Sequence, residues 1–428
     1  MMTVYGIFII TTFIVFILTK RMSVLTAMII VPVFFTLVAG FHIKDIGEYS
    51  LAGIKQVAPT GVLLMFAILY FSIMLDAGLF SPLIGFILQQ VKNDPLKVIL
   101  GTALLTMIVH LDGDGTATFM IVLSAFMPIY KQLKIHRMIL PCIVALSVGP
   151  MHLVPWSGTS ARALSVMKSD IPHLFNPNIY SMIAGISWVF FVATVLGLQE
   201  RKRLGRIELI PAEKVNLVNH PTRSKWIWFN AILTISLVFC LVKNFIPPVV
   251  LFIFASVIAL LVNYPGIRDQ QHILKSHAAN IFIVVSLIFA AGILSGILNG
   301  TKIIDSMAND MAHIIPASKS NLLPLFTALT SMPCSVIFTP DAYYFGVIPV
   351  LAKSASQFGM DSLEIARAGL LGQMTVGFPI SPLTGSTFLL IGMCGVELGE
   401  HQRYTFLWAW GTTIVMTLTA ILSGSIHI

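Results

Sequence analysis

Residues 155–160 read PWSGTS, and residues 382–387 read PLTGST. Both fit Pro-x-[Ser/Thr]-Gly-[Ser/Thr]-[Ser/Thr], and they lie 227 residues apart. The same offset carries Asp114 onto Asp341, so an acid precedes the glycine of each motif by 44 residues. An acid and a polar motif sharing one offset point to an internal duplication, which decides the architecture before any function is considered. Each copy also interrupts an apolar stretch with Pro and Gly, the residues that end or break a helix.

Composition says what kind of helix is broken. The 428 residues are 57% hydrophobic and only 10% charged, against roughly 25% charged in soluble domains. The apolar residues gather into runs at 5–19, 26–40, 61–75, 179–198, 226–242, 247–262, 281–298 and 405–422, lengths that cross a bilayer as helices. A polytopic, all-α membrane protein follows, and a soluble enzyme is excluded. The first run lacks the basic start of a secretory leader, so it reads as a retained span. The four cysteines stand singly, without metal or disulfide spacing, and read as small core residues. The net charge of +8 needs no nucleic acid or other acidic partner, because membrane proteins concentrate Lys and Arg in cytoplasmic loops.

The one long polar stretch, 199–225, carries seven of those basic residues and divides the chain. Each half reads as three spans, an apolar hairpin with a polar tip, a helix broken at the repeated motif, and a last span. The first repeat covers 1–198, with a hairpin at about 97–130 and a broken helix at about 138–172. The second covers 226–428, with a hairpin at about 321–352 and a broken helix at about 363–398. The hairpin arms are short, so both hairpins read as re-entrant, which requires burial in protein or a wet cavity. Five crossings per half is odd, so the repeats should be inverted. With 199–225 inside, 17 of the 26 Lys and Arg lie inside, 8 lie outside, and Arg162 stays at membrane depth. This asymmetry predicts about ten spans, both termini outside and a cytoplasmic central loop.

Inverted repeats with broken helices at the midplane are the pattern of secondary transporters. Helices restarting at Gly158 and Gly385 would offer N–H groups and a positive dipole end to an anion. Hydroxyls of Ser157, Thr159, Ser160, Thr384, Ser386 and Thr387 would join them. Asp114 and Asp341, at hairpin tips, are costly charges at membrane depth and point to an ion or proton path; helix N-capping is their structural alternative. Asp112 has no repeat partner, since Thr339 occupies its place. Arg162 could grip a carboxylate with two hydrogen bonds or serve an interhelical ion pair. His110 and His152 are candidates for proton transfer or ligation, and equally for hydrogen-bonded packing.

The stretches LDGDGTATF, PWSGTSARA, FTPDAYYFGVIPVLA, IARAGLLGQ, SPLTGSTFLLIG and GVELGEHQR resemble the citrate–metal:proton symporters, the CitMHS family of the ion transporter superfamily. The resemblance implies proton-driven uptake of citrate complexed with a divalent metal, by alternating access, in a homodimer. Carried over, one site is Asp112 to Thr116 with Ser157 to Ser160, and the other is Thr339 to Asp341 with Thr384 to Thr387. No permanent cofactor is implied; metal and protons travel with the substrate. Charge arithmetic is consistent with this. A tricarboxylate holding a divalent cation keeps a single negative charge, whereas the bare trianion would be repelled by Asp112, Asp114 and Asp341. Oxygen-rich surroundings favour hard ions such as Mg²⁺ or Ca²⁺. Other readings remain: a carboxylate carried without metal, an ion channel, or an intramembrane aspartyl protease built on Asp114 and Asp341.

Overall fold

A computed structural model describes residues 2–19, 21–79, 81–91, 94–113, 115–167, 169, 171–204, 224–243, 245–314 and 316–428. Asp114 and residues 205–223 of the central linker lie outside the described residues. Those described form helices and connecting turns, with no strand among them.

Two helices of 34 residues, Ile43–Asp76 and Ile267–Gly300, form the spine. Each is about 51 Å long at helical rise. They run antiparallel in contact. Tyr49 lies beside Gly296 and Gly300, Gly53 against Gly292, and Gly61 under the Phe289 ring. At the far end His277 Nε2 meets Asp76 Oδ2 at 2.8 Å. Glycine lets the backbones touch: a Cβ on Gly53 would stand 1.9 Å from the Gly292 carbonyl oxygen. The flanking helices cross over. Val24–Val38 packs on Ile267–Gly300, and Pro248–Asn263 packs on Ile43–Asp76, where Ser256 Oγ donates to Phe66 O at 2.9 Å.

A second antiparallel pair, Ile179–Leu204 with Leu398–Leu422, carries the broken elements. Trp188 Nε1 donates to Trp408 O at 3.3 Å, and Ser425 Oγ donates to Asn178 Oδ1 at 2.8 Å. The hairpin arm Pro95–Val109 packs on Ile179–Leu204, and Leu323–Cys334 packs on Leu398–Leu422. The first arm starts cleanly because Asp94 Oδ1 accepts Leu96 N at 3.1 Å with Pro95 beginning the helix.

The helices follow one another in the same order in both halves. Gly158–Met167 and Gly385–Cys394 are related residue for residue by the offset of 227. Four helices, Ile43–Asp76, Pro172–Leu204, Ile281–Gly300 and Leu398–Leu422, are long and apolar enough to cross a membrane unaided. Shorter apolar helices such as Met2–Phe16 and Ile227–Leu241 accompany them.

Three features differ from the sequence reading. The runs at 61–75 and 281–298 extend backward into the 34-residue helices, because their first turns carry charges such as Lys44, Asp45, Arg268 and Asp269 and escape an apolar window. Two short helices, Ser81–Val91 and Ile303–Ile314, were not read as elements. The latter is two-faced, burying Ile303, Ile304 and Ala308 while exposing Asp310. The second arm of the later hairpin is irregular: Pro340–Ala342, a π-turn at Tyr343–Val347, then Ile348–Gln357. Pro349 supplies no amide where a straight helix would need one.

The glycine contacts define the first expected outcome. Gly53→Val should lose roughly 3 kcal/mol or more through overpacking against the Gly292 backbone. On the same helix Gly47 has nothing within 4 Å of its would-be Cβ, so Gly47→Ala should be neutral or slightly stabilising. Thermal melting of both variants in detergent checks this; equal melting temperatures would contradict the packing.

Candidate functional site

The two breaks, residues 152–157 and 371–384, lie side by side. A Cβ on Gly149 would stand 3.1 Å from Val376 Cα. The His152 ring meets the Phe378 ring edge-on at 4.9 Å, and Thr159 Oγ1 donates to Met374 O at 3.3 Å. Met374 holds φ 56, a left-handed conformation that costs a residue with a Cβ about 1–2 kcal/mol. Strain of this kind gathers at functional loops.

The first hairpin tip closes on both breaks. Trp156 Nε1 donates to Leu111 O at 2.7 Å, Phe119 stacks on Phe378 at 6.5 Å, and Thr116 Oγ1 comes within 3.5 Å of Ser386 Oγ. The backbone of Asp112 ends the turn His110–Asp112, and Gly113 then takes φ 79. The Asp112 side chain and all of Asp114 lie outside the described residues.

The second hairpin tip meets the first broken helix. Arg162 Nε donates to Asp341 Oδ1 at 2.7 Å, and Arg162 Nη1 donates to Gly158 O at 2.9 Å. Both charged side chains are nearly buried, 12% and 10% exposed. The Asp341 helix turn is fixed by Thr339, whose Oγ1 accepts Ala342 N at 3.2 Å. A Cβ on Gly158 would stand 3.1 Å from Arg162 Nη1, so a side chain there would press on the guanidinium. At Gly385 the equivalent space is open, since Leu389 replaces the arginine.

Most motif hydroxyls have structural partners. Ser157 Oγ accepts Ser160 N at 3.1 Å and donates to His152 O at 2.5 Å, capping the restart at Gly158. Ser160 Oγ donates to Leu153 O at 3.3 Å. Thr384 and Thr387 share a hydroxyl contact at 2.7 Å, and both reach Phe378 O. A hydroxyl that donates to a carbonyl keeps only lone pairs, which suit a cation better than an anion. His110 and His152 face each other, Nε2 to Nε2 at 3.3 Å, and His110 Nδ1 reaches Thr118 Oγ1 at 3.0 Å. His152 Nδ1 has no hydrogen-bond partner among the described residues.

Sequence reasoning missed Gln373. Its side chain accepts from Ser335 Oγ at 2.8 Å and donates to Phe338 O at 3.3 Å, and its carbonyl accepts Tyr344 Oη at 2.9 Å. It thereby stitches the second hairpin to the second break. A lone amide in an apolar run is the signal the sequence offers for it. Among the described residues no three His, Cys, Asp or Glu side chains gather as a metal site.

The geometry joins with three comparisons. The family model described as citrate transporter, CitMHS, matches residues 13–372. A Bacillus subtilis (strain 168) protein named citrate transporter is 48% identical over the whole of both chains. Another from the same organism, named Mg(2+)/citrate complex secondary transporter, is 44% identical over the whole of both chains. In fold, the chain is similar to the crystal structure of the Alcanivorax borkumensis YdaH transporter, which is described as having an unusual topology. The TM-score is 0.62 at 15% identity, covering 88% of this chain and 87% of that one. This chain is a multi-pass membrane protein, a transporter and not an enzyme, and it belongs to the citrate transporter (CitMHS) family.

Proposed function

We propose that the protein imports citrate as a complex with a divalent metal of the Mg²⁺ class, driven by protons, by alternating access between two inverted repeats. The observation that carries this is the nearly buried Arg162 guanidinium at a helix restart, held beside Asp341 from the other half. A guanidinium at that place recognises a carboxylate. Asp341 at the second hairpin tip, with Asp112 and Asp114 in the sequence of the first, would disfavour a bare trianion and accept a ligand that brings its own cation. The name of the 44% identical relative supports the same substrate. Inversion is supported by the antiparallel course of two helix pairs at corresponding positions, Ile43–Asp76 with Ile267–Gly300 and Ile179–Leu204 with Leu398–Leu422. Each hairpin tip and break then forms one half of a shared site. Thr116, Ser386 and the restarts at Gly158 and Gly385 line the side left open.

Transport in proteoliposomes tests this. Citrate uptake should require Mg²⁺ or a similar ion, stop with EDTA, and be driven by an inward proton gradient with acidification of the lumen. Uptake that EDTA leaves intact would remove the metal from the reading.

Arg162→Lys keeps the charge but loses the forked geometry. The citrate concentration for half-maximal uptake should rise by about tenfold or more, as loss of a charged hydrogen bond requires. Unchanged uptake kinetics in this variant would take Arg162 out of the site.

The charge asymmetry between loops predicts Lys202 in the cytoplasm and Ser318 and Ile428 outside. Single cysteines at these positions, in a cysteine-free background, should react with an impermeant maleimide in intact cells only at 318 and 428. Labelling at 202 but not at 318 would reverse the orientation.

A further inference from the structure

We infer that the Arg162–Asp341 ion pair is an exchangeable latch, which makes the protein select the metal complex over the free anion. The inference rests on the proposed substrate reading and deepens it.

The pair has an unusual form for two charges so nearly buried. Only Nε of Arg162 reaches Asp341, through one oxygen at 2.7 Å. Nη1 is turned to Gly158 O, a backbone carbonyl on its own helix. The contact is therefore single, where a guanidinium and a carboxylate in full register make two parallel bonds. An incoming carboxylate can offer that second bond and take the guanidinium. Asp341 would then be left nearly buried beside an anion and without a counter-charge. Burying a carboxylate unpaired is costly, so the exchange is favourable only if a cation arrives with the ligand. Thr339 caps the turn that carries Asp341, which fixes the backbone from which the carboxylate projects. The divalent ion of a metal–carboxylate complex meets this need. A metal-free anion does not.

The latch works in both directions. While Arg162 holds Asp341, Mg²⁺ alone is opposed by a cation already in place. Each partner of the complex needs the other to open the pair, and by linkage the coupling is equal seen from either ligand.

Calorimetric titration of the purified full-length protein tests this with citrate, Mg²⁺, and the preformed complex as probes. Wild type should bind the complex far better than citrate or Mg²⁺ alone. Asp341→Asn frees Arg162 from a competing charge, so metal-free citrate should bind more tightly. The preference for the complex should fall by about tenfold or more, the scale of a typical coupling. Arg162→Ala frees Asp341, so Mg²⁺ should bind without citrate. The two variants report independently, so misfolding of one leaves the other decisive. If wild type prefers the complex and either folded variant retains wild-type selectivity, the latch is wrong while the substrate reading stands. If wild type binds neither citrate nor its complex, both fall.

Discussion

A charge buried in an apolar protein needs a partner, and the pairing of Arg162 with Asp341 meets that constraint across the two halves of the chain. Removing one member would leave the other nearly buried and alone, a loss of about 3–5 kcal/mol for a buried pair. The surrounding elements serve this contact. Gly158 clears space for the guanidinium, Thr339 fixes the turn that carries the acid, and the spine glycines bring the two halves close. Because the pair joins the first broken helix to the second hairpin, any movement between those elements must break or carry it.

Around the pair the polar groups divide by role. Ser157 caps the restart at Gly158, Gln373 ties the second hairpin to its break, and Thr384 and Thr387 hold the carbonyl of Phe378. These bonds satisfy backbone groups that a broken helix would otherwise leave unpaired in an apolar setting. The left-handed Met374, whose carbonyl receives Thr159, lies where the two breaks meet. The breaks are thus braced by side-chain hydrogen bonds, while Arg162 and Asp341 pair with each other.

Much of this is legible in the sequence as a single arithmetic offset. One offset related Gly158 to Gly385, and the structure starts a helix at each. The pairing of Arg162 with Asp341 left no such trace. It joins residues 179 apart in sequence, and Leu389 stands where a second arginine would be. Hydroxyl-rich motifs announced polarity but not the direction of each O–H, so Ser157 and Thr384 read as ligand contacts although their hydrogen bonds cap and brace the breaks. The full length of the spine helices was hidden by charged first turns, which escape a search for apolar runs.

Thermal melting of the purified wild-type protein with citrate, with Mg²⁺, and with both together tests the central claim, that one site built around this ion pair receives the complex. A ligand that binds only the folded state stabilises it by RT ln(1 + [L]/Kd), so at a given concentration the melting temperature rises more the tighter the binding. The expected result is little shift with either component and a clear rise with the mixture, larger than the two separate shifts combined. A rise with citrate in EDTA equal to that with the mixture would contradict it.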